Sequence, residues 1–218
     1  MAYKKLSDLT TEGQTWSIKI KVIRVWDSIN NATDELISMD MILMGKHNDA
    51  IHATIWKGLL NTYRPQINEG SIYVFSNFKV EGSIRYRPLC NEKKIVFTYN
   101  TMVKEVNEPS DKFKQHYFEF VTKDTLLERE NKDHQCSDVI GLLTNIWPLQ
   151  QRIIKRNTPS ERTKDIHVIE LLLFDGEKVR VTLWGELAHY ISEDLTENQT
   201  VIIVTSNSKR LRNLHNGY

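Results

Sequence analysis

The sequence has little of what marks secreted, membrane or disulfide-stapled proteins. Its 218 residues contain two cysteines, Cys90 and Cys136, which lie far apart and indicate reduced thiols rather than a disulfide framework. The N-terminus MAYKKLSDLT has no apolar signal segment, and the longest apolar runs, LLLF and VIIV, have the length of single strands. Neither secretion nor a membrane role is therefore expected.

Net charge is also small. The chain has 29 basic and 28 acidic residues, a formal charge of +1. Proteins that coat duplex DNA by bulk charge carry a large positive excess, so this class is disfavoured, while a local basic groove is still allowed.

Signatures of catalysis and of metal binding are missing. The seven histidines are scattered, and the pair His134 and Cys136 has no partner pair at zinc-ligand spacing. The chain has no glycine-rich phosphate loop and no nucleophile motif. We interpret Asp40 and Glu170, each inside an apolar strand, as outward-facing polar residues, and we expect a non-enzymatic protein without cofactor or metal.

What the sequence does contain is an internal repeat. IHATIW (51–56) returns as VRVTLW (179–184) at an offset of 128. SMDMILM (38–44) matches VIELLLF (168–174) at an offset of 130, and EGSIYVFS (69–76) matches NQTVIIVT (198–205) at an offset of 129. Three collinear matches at a nearly constant offset indicate a duplicated domain.

Each copy has the pattern of a small barrel. A first apolar strand, WSIKIKVIRVW or SDVIGLLTNIW, is followed by a polar loop, two closely spaced strands, a short helical stretch and another strand. This order predicts a mainly all-β chain with two tandem OB-fold five-stranded Greek-key barrels and short helices. We place the first domain at 1–104, a charged linker with a short helix at 105–136, and the second domain at 137–218.

The repeated hexamers place a tryptophan on the solvent side of a strand. Alternate residues face opposite ways, so Ile51, Ala53 and Ile55 point to the core while His52, Thr54 and Trp56 point outward. In the second copy, Arg180, Thr182 and Trp184 take the outward positions. An exposed indole beside a cationic or hydrogen-bonding neighbour suits a nucleobase. Trp26 and Trp147, at strand ends, are instead expected to be buried.

Basic residues form three further candidate contacts for phosphate, and an ordinary solvated surface is the alternative for each. In the first copy, Tyr86 is a second candidate platform within a basic hairpin. The basic candidates are Lys79, Arg85 and Arg87 in this hairpin, Arg152, Lys155 and Arg156 in the first loop of the second copy, and Lys209, Arg210 and Arg212 in the tail, which can also be a nuclear address.

The chain resembles the two central DNA-binding OB domains of the large (70 kDa) subunit of replication protein A, with plant-type proteins nearest. SDVIGLL with VTLWGE, and IHATIW with YRPLCNEKKIVF, carry this resemblance over nearly the whole chain. It implies sequence-tolerant binding of single-stranded DNA in the nucleus, during replication, repair or recombination. By position, Trp56 and Tyr86 match the aromatic pair of the first domain, with His52 and Lys79 as polar contacts, and Trp184 and Arg180 match the second.

The second copy departs from the family after Val204. Fourteen residues follow, too few for the hairpin and closing strand of the first copy, so we expect the second barrel to lack its last strand and to be less stable and weaker in binding. The resemblance also implies the other replication protein A subunits as partners, an expectation that is weakened because this sequence shows no counterpart of the family's zinc-containing C-terminal domain. Single-stranded RNA binding, a protein-interaction module and a degenerate copy are the alternatives.

Overall fold

The chain folds into two compact units. The computed structural model describes residues 3–13, 15–30, 33, 35–83, 87–109, 112–129, 135–154, 161–192 and 194–207. Unit 1 comprises residues 1–118 and 134–136, and unit 2 comprises residues 119–133 and 137–218. Within the described ranges, no helix is long and apolar enough to cross a membrane.

Unit 1 is built on one sheet of seven strand segments. They are β1 (Ser17–Ile29), β2 (Leu36–Met44), β3 (Ala50–Trp56), β4 (Ile72–Ser76), β5 (Lys79–Gly82), β6 (Lys93–Val96) and β7 (Met102–Glu105). Their order across the sheet is β5-β6-β3-β2-β1-β4-β7. All neighbours are antiparallel except β3 and β6, which run parallel and therefore need a long crossover between them.

The sheet curls into a barrel because β4 and β5 are two halves of one bent strand. Asn77 lies between them with φ of 58°, a left-handed conformation that asparagine tolerates better than most residues. Its N–H donates to the carbonyl of Trp16 at 3.1 Å, and its carbonyl accepts hydrogen bonds from the hydroxyls of Thr98 and Thr101. β4 pairs with β1 while β5 pairs with β6, so the sheet closes on itself.

The core of unit 1 fills this barrel. Ile51, Ala53 and Ile55 of β3 are fully buried in it, as the alternation predicts. One end is covered by the helical stretch that follows β3, which runs through Lys57–Leu59, α1 (Leu60–Tyr63) and Arg64–Gln66. The hydroxyl of Tyr63 donates to the backbone carbonyls of Thr98 and Thr101, which fixes this helix on the core.

Unit 2 repeats the first half of this design. Its elements are α2 (Lys123–Glu128), β8 (Ser137–Ile146), β9 (Gln150–Ile154), β10 (Arg162–Leu173), β11 (Lys178–Trp184), a 3-10 turn at Gly185–His189 and β12 (Val201–Asn207). The strand order is β11-β10-β8-β12, with β9 paired to β10. The Oγ1 atom of Thr122 accepts a hydrogen bond from the N–H of Thr125 and caps α2, whose Leu126 enters the core.

The predicted fold class is confirmed: the chain is mainly β and forms OB-type units with short helices. The strand expected to be missing from the second barrel concerns residues after Asn207. Residues 208–218 lie outside the described residues, so this expectation stays a prediction.

Backbone hydrogen bonds show the repeat in detail. Gly70 and Asn198 both have left-handed φ angles, of 86° and 59°. The N–H of Gly70 donates to the carbonyl of Val22 at 2.8 Å, and that of Asn198 donates to the carbonyl of Leu143 at 2.7 Å. The same turn therefore returns the chain to the first strand of each unit.

Strand pairing corrects one of the predicted matches. In unit 1, Ile42 pairs with Arg24 and His52, whereas in unit 2 it is Glu170 that pairs with Asn145 and Arg180. The structural offset of these strands is therefore 128, and the match at 130 is wrong. A shift of two residues keeps every side chain on its face of the sheet, so the apolar pattern alone fits both alignments.

Candidate nucleic-acid interface

In unit 1, the outer face of β3 exposes Trp56. Its side chain points away from the core because Ile55 points into it, and the residue is 44% exposed. The strand ends here and the chain turns into a 3-10 helix at Lys57, which leaves the ring uncovered. Nζ of Lys94 on β6 lies 5.4 Å from the centroid of the Trp56 ring, within cation–π range. This end of the sheet therefore presents an aromatic ring and an ammonium together.

Lys79 adds a second cation to the same side of unit 1. It is exposed on β5 opposite Val96, which in turn is the parallel partner of Thr54. Lys94 and Lys79 thus lie on β6 and β5, the two strand segments that follow β3 toward this edge of the sheet.

The prediction that His52 and Thr54 face solvent is wrong. His52 is 8% exposed and Thr54 is also buried. The imidazole of His52 stacks on the indole of Trp26, with ring centroids 5.9 Å apart and an interplanar angle of 11°. Trp26 belongs to β1, two strands away in the sheet, so the strand alternation of β3 gives no sign of this cover. His52 is thus placed beneath the surface, where it supports the sheet.

His52 belongs to a buried polar cluster centred on Asp40. Its Nε2 lies 2.9 Å from Oδ1 of Asp40, which also accepts a hydrogen bond from the hydroxyl of Thr54 at 2.6 Å. Oδ2 accepts hydrogen bonds from the hydroxyls of Ser28 and Ser38. Burial acts to raise the pKa of the Asp40 carboxyl, but the hydrogen bond and charge of His52 and the two further hydroxyl bonds outweigh it and lower the pKa to about 2. Asp40 faces outward as predicted, yet it is buried.

An apolar cluster covers the other end of this face. Ile42, Ala50 and Leu89 are buried together, and Trp26 and Tyr117 pack against them. Trp26 is half-buried, so the expectation of a buried indole holds only in part. The uncovered part of the outer face is therefore the end that carries Trp56.

Arg87 is more enclosed than the sequence suggests. Its side chain is half-buried and its Nη1 lies 3.5 Å from the carboxylate of Glu92. Its backbone carbonyl accepts a hydrogen bond from the N–H of Cys136. The two described cations of the predicted hairpin therefore differ in exposure: Lys79 is exposed, whereas Arg87 is half-buried and contacts Glu92.

Unit 2 exposes Trp184 at the position equivalent to Trp56. Trp184 is 41% exposed at the end of β11, and Thr182 is exposed beside it. Arg180 lies on the same face, with its Cζ 4.9 Å from the centroid of the Trp147 ring. The predicted outward face of β11 is confirmed for all three residues.

Glu170 lies across from Arg180 in the sheet. Its carboxylate accepts hydrogen bonds from Nζ of Lys178 at 2.8 Å and from the hydroxyl of Thr144 at 3.0 Å, whereas Nε of Arg180 lies 3.9 Å away. The bond from Lys178 lowers the pKa of this carboxyl, although partial burial opposes the shift. Lys178 is thus closer to the carboxylate of Glu170 than Arg180 is.

The remaining predicted contacts divide into those that the structure places and those that it does not describe. Arg152 is exposed on β9, opposite Lys164 of β10. Outside the described residues lie Arg85, Tyr86, Lys155, Arg156, Lys209, Arg210 and Arg212.

Sequence reasoning missed Trp26, Trp147 and Lys94 as parts of these faces. A signal existed for the tryptophans, since they end the corresponding apolar segments WSIKIKVIRVW and SDVIGLLTNIW at an offset of 121. For Lys94, the contact depends on the parallel pairing of β3 with β6, which is not local in sequence. Within the described residues, no group of three or more histidine, cysteine, aspartate or glutamate side chains is arranged to hold a metal ion.

Comparison with known proteins identifies sequence relatives of this chain. The chain is 24% identical over 186 residues to Replication factor A protein 1 of Schizosaccharomyces pombe, a match that covers 79% of this chain and 28% of the relative. It is 23% identical over 185 residues to a 70 kDa DNA-binding subunit of replication protein A from Arabidopsis thaliana, covering 84% of this chain and 28% of that protein. The chain thus spans 28% of the length of each of these relatives.

A solved structure of a replication protein A heterotrimer bound to ssDNA matches 85% of this chain and 42% of that chain, with 23% identity and a TM-score of 0.49. The resemblance to the large subunit of replication protein A is confirmed as a similarity of sequence. A family model, Domain of unknown function DUF223, matches residues 7–129, and the chain therefore belongs to the DUF223 family.

Proposed function

We propose that the protein binds single-stranded DNA without catalysing a reaction, by stacking unpaired bases on Trp56 in unit 1 and on Trp184 in unit 2. One observation carries this proposal: both units expose a tryptophan at the same structural position, 44% and 41% exposed, at the end of β3 in unit 1 and of β11 in unit 2. Base stacking on such a ring is worth about 1 to 3 kcal/mol and does not depend on the base.

Cations accompany both rings. Lys94 contacts the Trp56 ring, Lys79 is exposed on the neighbouring strand pair, and Arg180 is exposed on the same strand as Trp184. A strand of DNA that lies along these faces meets a ring for its bases and ammonium or guanidinium groups for its phosphates. The geometry supports binding of bases and backbone together in each unit.

Single strands fit these faces better than duplex does. In a duplex both faces of each base are stacked inside the helix, so an exposed indole has no partner there. The chain is also nearly neutral, so it lacks the positive excess of proteins that coat duplex DNA. The unpaired strand offers free base faces and needs only a few phosphate contacts.

The relatives extend this proposal to a cellular role. The Arabidopsis relative is named a DNA-binding subunit of replication protein A, and both relatives are replication proteins by name. We therefore place the protein in the nucleus, in replication, repair or recombination, with other subunits of replication protein A as candidate partners.

The test is binding of a labelled oligo-dT of roughly 30 nucleotides, long enough for two OB units, measured by fluorescence anisotropy. Trp56→Ala and Trp184→Ala are each expected to weaken binding by about 1 to 3 kcal/mol. Tyr3→Ala is the matched control, since Tyr3 is 45% exposed and has Lys19 5.4 Å from its ring, but belongs to the β1–β4 side of unit 1. Equal effects of the Trp56 and Tyr3 variants contradict the proposal.

An oligo-U of the same length serves as the competitor. Displacement of oligo-dT at equal concentration assigns the faces to single-stranded nucleic acid in general, because the 2′-hydroxyl that distinguishes RNA from DNA then makes no difference to binding. Absence of binding to either oligomer at low salt contradicts the proposed function and favours a protein-interaction module.

A further inference from the structure

One part of the outer face of the sheet is buried in unit 1, whereas the equivalent part is exposed to solvent in unit 2. In unit 1 this part contains Ile42, Ala50 and His52, all buried, with Leu89 in the same cluster. At the three equivalent positions unit 2 has charged side chains, Glu170, Lys178 and Arg180, and the side chain of Arg180 is 55% exposed. A patch that unit 1 uses for packing is therefore accessible to a ligand in unit 2.

The neighbours of Arg180 orient its guanidinium group but leave its N–H groups able to donate hydrogen bonds. Its Cζ lies 4.9 Å from the centroid of the Trp147 ring, a contact that restricts the orientation of the side chain. Glu170 is satisfied by Lys178 and by the hydroxyl of Thr144, and its distance of 3.9 Å from Nε of Arg180 exceeds that of a hydrogen bond. The N–H donors of Arg180 thus stay available to a group that approaches from solvent.

Arg180 also stands beside the stacking residue of unit 2. Thr182 separates it from Trp184 along β11, and all three side chains lie on one face. Four residues of a strand span about 13 Å, so a base stacked on Trp184 and a group bound by Arg180 belong to nearby but different nucleotides.

We propose that Arg180, supported on Trp147, recognises the edge of a guanine base in the bound strand. This inference rests on the proposed function and adds a base preference at one position to binding that is otherwise tolerant of sequence. Guanine presents two hydrogen-bond acceptors, O6 and N7, on one edge, and the planar fork of arginine donates to both at once.

The other bases match this fork less well. Adenine offers N7 beside an amino donor, cytosine offers an amino donor, and thymine offers one carbonyl beside a methyl group. A single bidentate contact discriminates against the wrong base by at least about fivefold in affinity. Unit 1 lacks this capacity, because the residue equivalent to Arg180 is the buried His52, which is bound to Asp40.

The experiment compares three oligo-dT probes of equal length by anisotropy, with all thymine, one internal dG, or one internal 7-deaza-dG, which lacks the N7 acceptor. Because oligo-dT binds in any register, a single dG can reach Arg180. Only the registers that place the dG at Arg180 gain about fivefold, so we expect the dG probe to bind more tightly than all-thymine DNA by a smaller overall factor, and the 7-deaza probe to lose most of this gain.

The decisive variant is Arg180→Lys, which keeps the charge and removes the fork. It is expected to abolish the dG preference while oligo-dT still binds, and Arg64→Lys in unit 1, where Arg64 pairs with Asp27, is expected to keep the preference.

Equal binding of all three probes by the unchanged protein overturns the inference, as does a dG preference that survives Arg180→Lys. Equal weakening of every probe by Arg180→Ala, with no dG preference in the unchanged protein, assigns Arg180 to phosphate instead. Failure of the proposed function is distinct, because then the all-thymine probe does not bind.

Discussion

Nε2 of His52 lies 2.9 Å from Oδ1 of Asp40, and the indole of Trp26 stacks on the imidazole. Asp40 pairs with Trp26 on β1 and with Thr54 on β3, so this contact joins the three central strands of unit 1 beneath the outer face. Buried polar groups cost free energy unless they are bonded, and here the carboxylate has partners on both oxygens. The cluster therefore supports the sheet from which Trp56 projects.

Asp40→Asn is expected to destabilise unit 1 at neutral pH and to flatten its acid dependence. A carboxyl whose pKa falls from 3.8 to about 2 on folding contributes stability that is complete above about pH 4 and is lost as the pH drops through 2. The shift corresponds to about 2 kcal/mol. Hydrogen exchange of β2 and β3 peptides at pH 6 and pH 3 measures it. The same acid sensitivity in variant and parent contradicts this role for Asp40.

His52→Ala is expected to act on stability and not on phosphate contacts. Removing the imidazole leaves the Asp40 carboxylate short of a buried partner, at a cost of about 1 to 3 kcal/mol in the stability of unit 1. The salt dependence of oligo-dT binding should keep its slope, because a buried side chain releases no counterion. A reduced slope would return His52 to the set of direct DNA contacts.

Lys94→Ala is expected to show the opposite pattern. Lys94 is partly exposed and contacts the Trp56 ring, so its loss removes one cation from the binding face with little effect on folding. A single phosphate contact contributes about 0.7 to the slope of log K against log salt for single strands. Titrations of oligo-dT at several salt concentrations check this, with Lys104→Ala on β7 as an exposed-lysine control. An unchanged slope for Lys94→Ala places this lysine outside the phosphate contacts.

Trp56 and His52 show how far the sequence predicts the site. Both lie on the same side of β3, and strand alternation assigns that side correctly. It does not predict exposure, because the cover over His52 comes from Trp26 on another strand and the neighbouring cluster includes Tyr117, far along the chain. Strand alternation therefore predicts the exposure of Trp56 correctly and that of His52 wrongly.

Glu170 makes the same point about the repeat. Periodicity of two fixes which face of β10 is apolar, and the strands and their order follow from it. Register across the sheet is a non-local property. Met44 pairs with Ala50 and Leu172 pairs with Lys178, so the two hairpins have the same length and Glu170 takes the place of Ile42 instead of Asp40. The predicted domain limits at 104 and 136 stay predictions.

Asn77 offers a test of barrel closure. Its φ of 58° lies in the left-handed region, where a residue with a Cβ other than asparagine or aspartate is strained by about 1 to 2 kcal/mol. Asn77→Ala is expected to destabilise unit 1 by this amount, while Asn77→Gly should be nearly neutral, because glycine adopts this conformation freely. Denaturant unfolding followed by tryptophan fluorescence compares them. Equal stability of the two variants contradicts a conformational role for this position.

The cores of the units predict a difference in their stability. Counted over the described residues, the buried apolar cluster of unit 1 contains 21 side chains and that of unit 2 contains 9. Among the described residues, β4 of unit 1 pairs with β7 on its outer edge, whereas the equivalent strand β12 of unit 2 pairs only with β8. Fewer buried contacts and an open edge favour local opening. Amides of β8 and β10 are therefore expected to exchange at least about tenfold faster than those of β1 and β2, a difference of about 1.4 kcal/mol. Native-state hydrogen exchange read by mass spectrometry measures both sets in one sample, and equal protection of the two units would contradict this difference in stability.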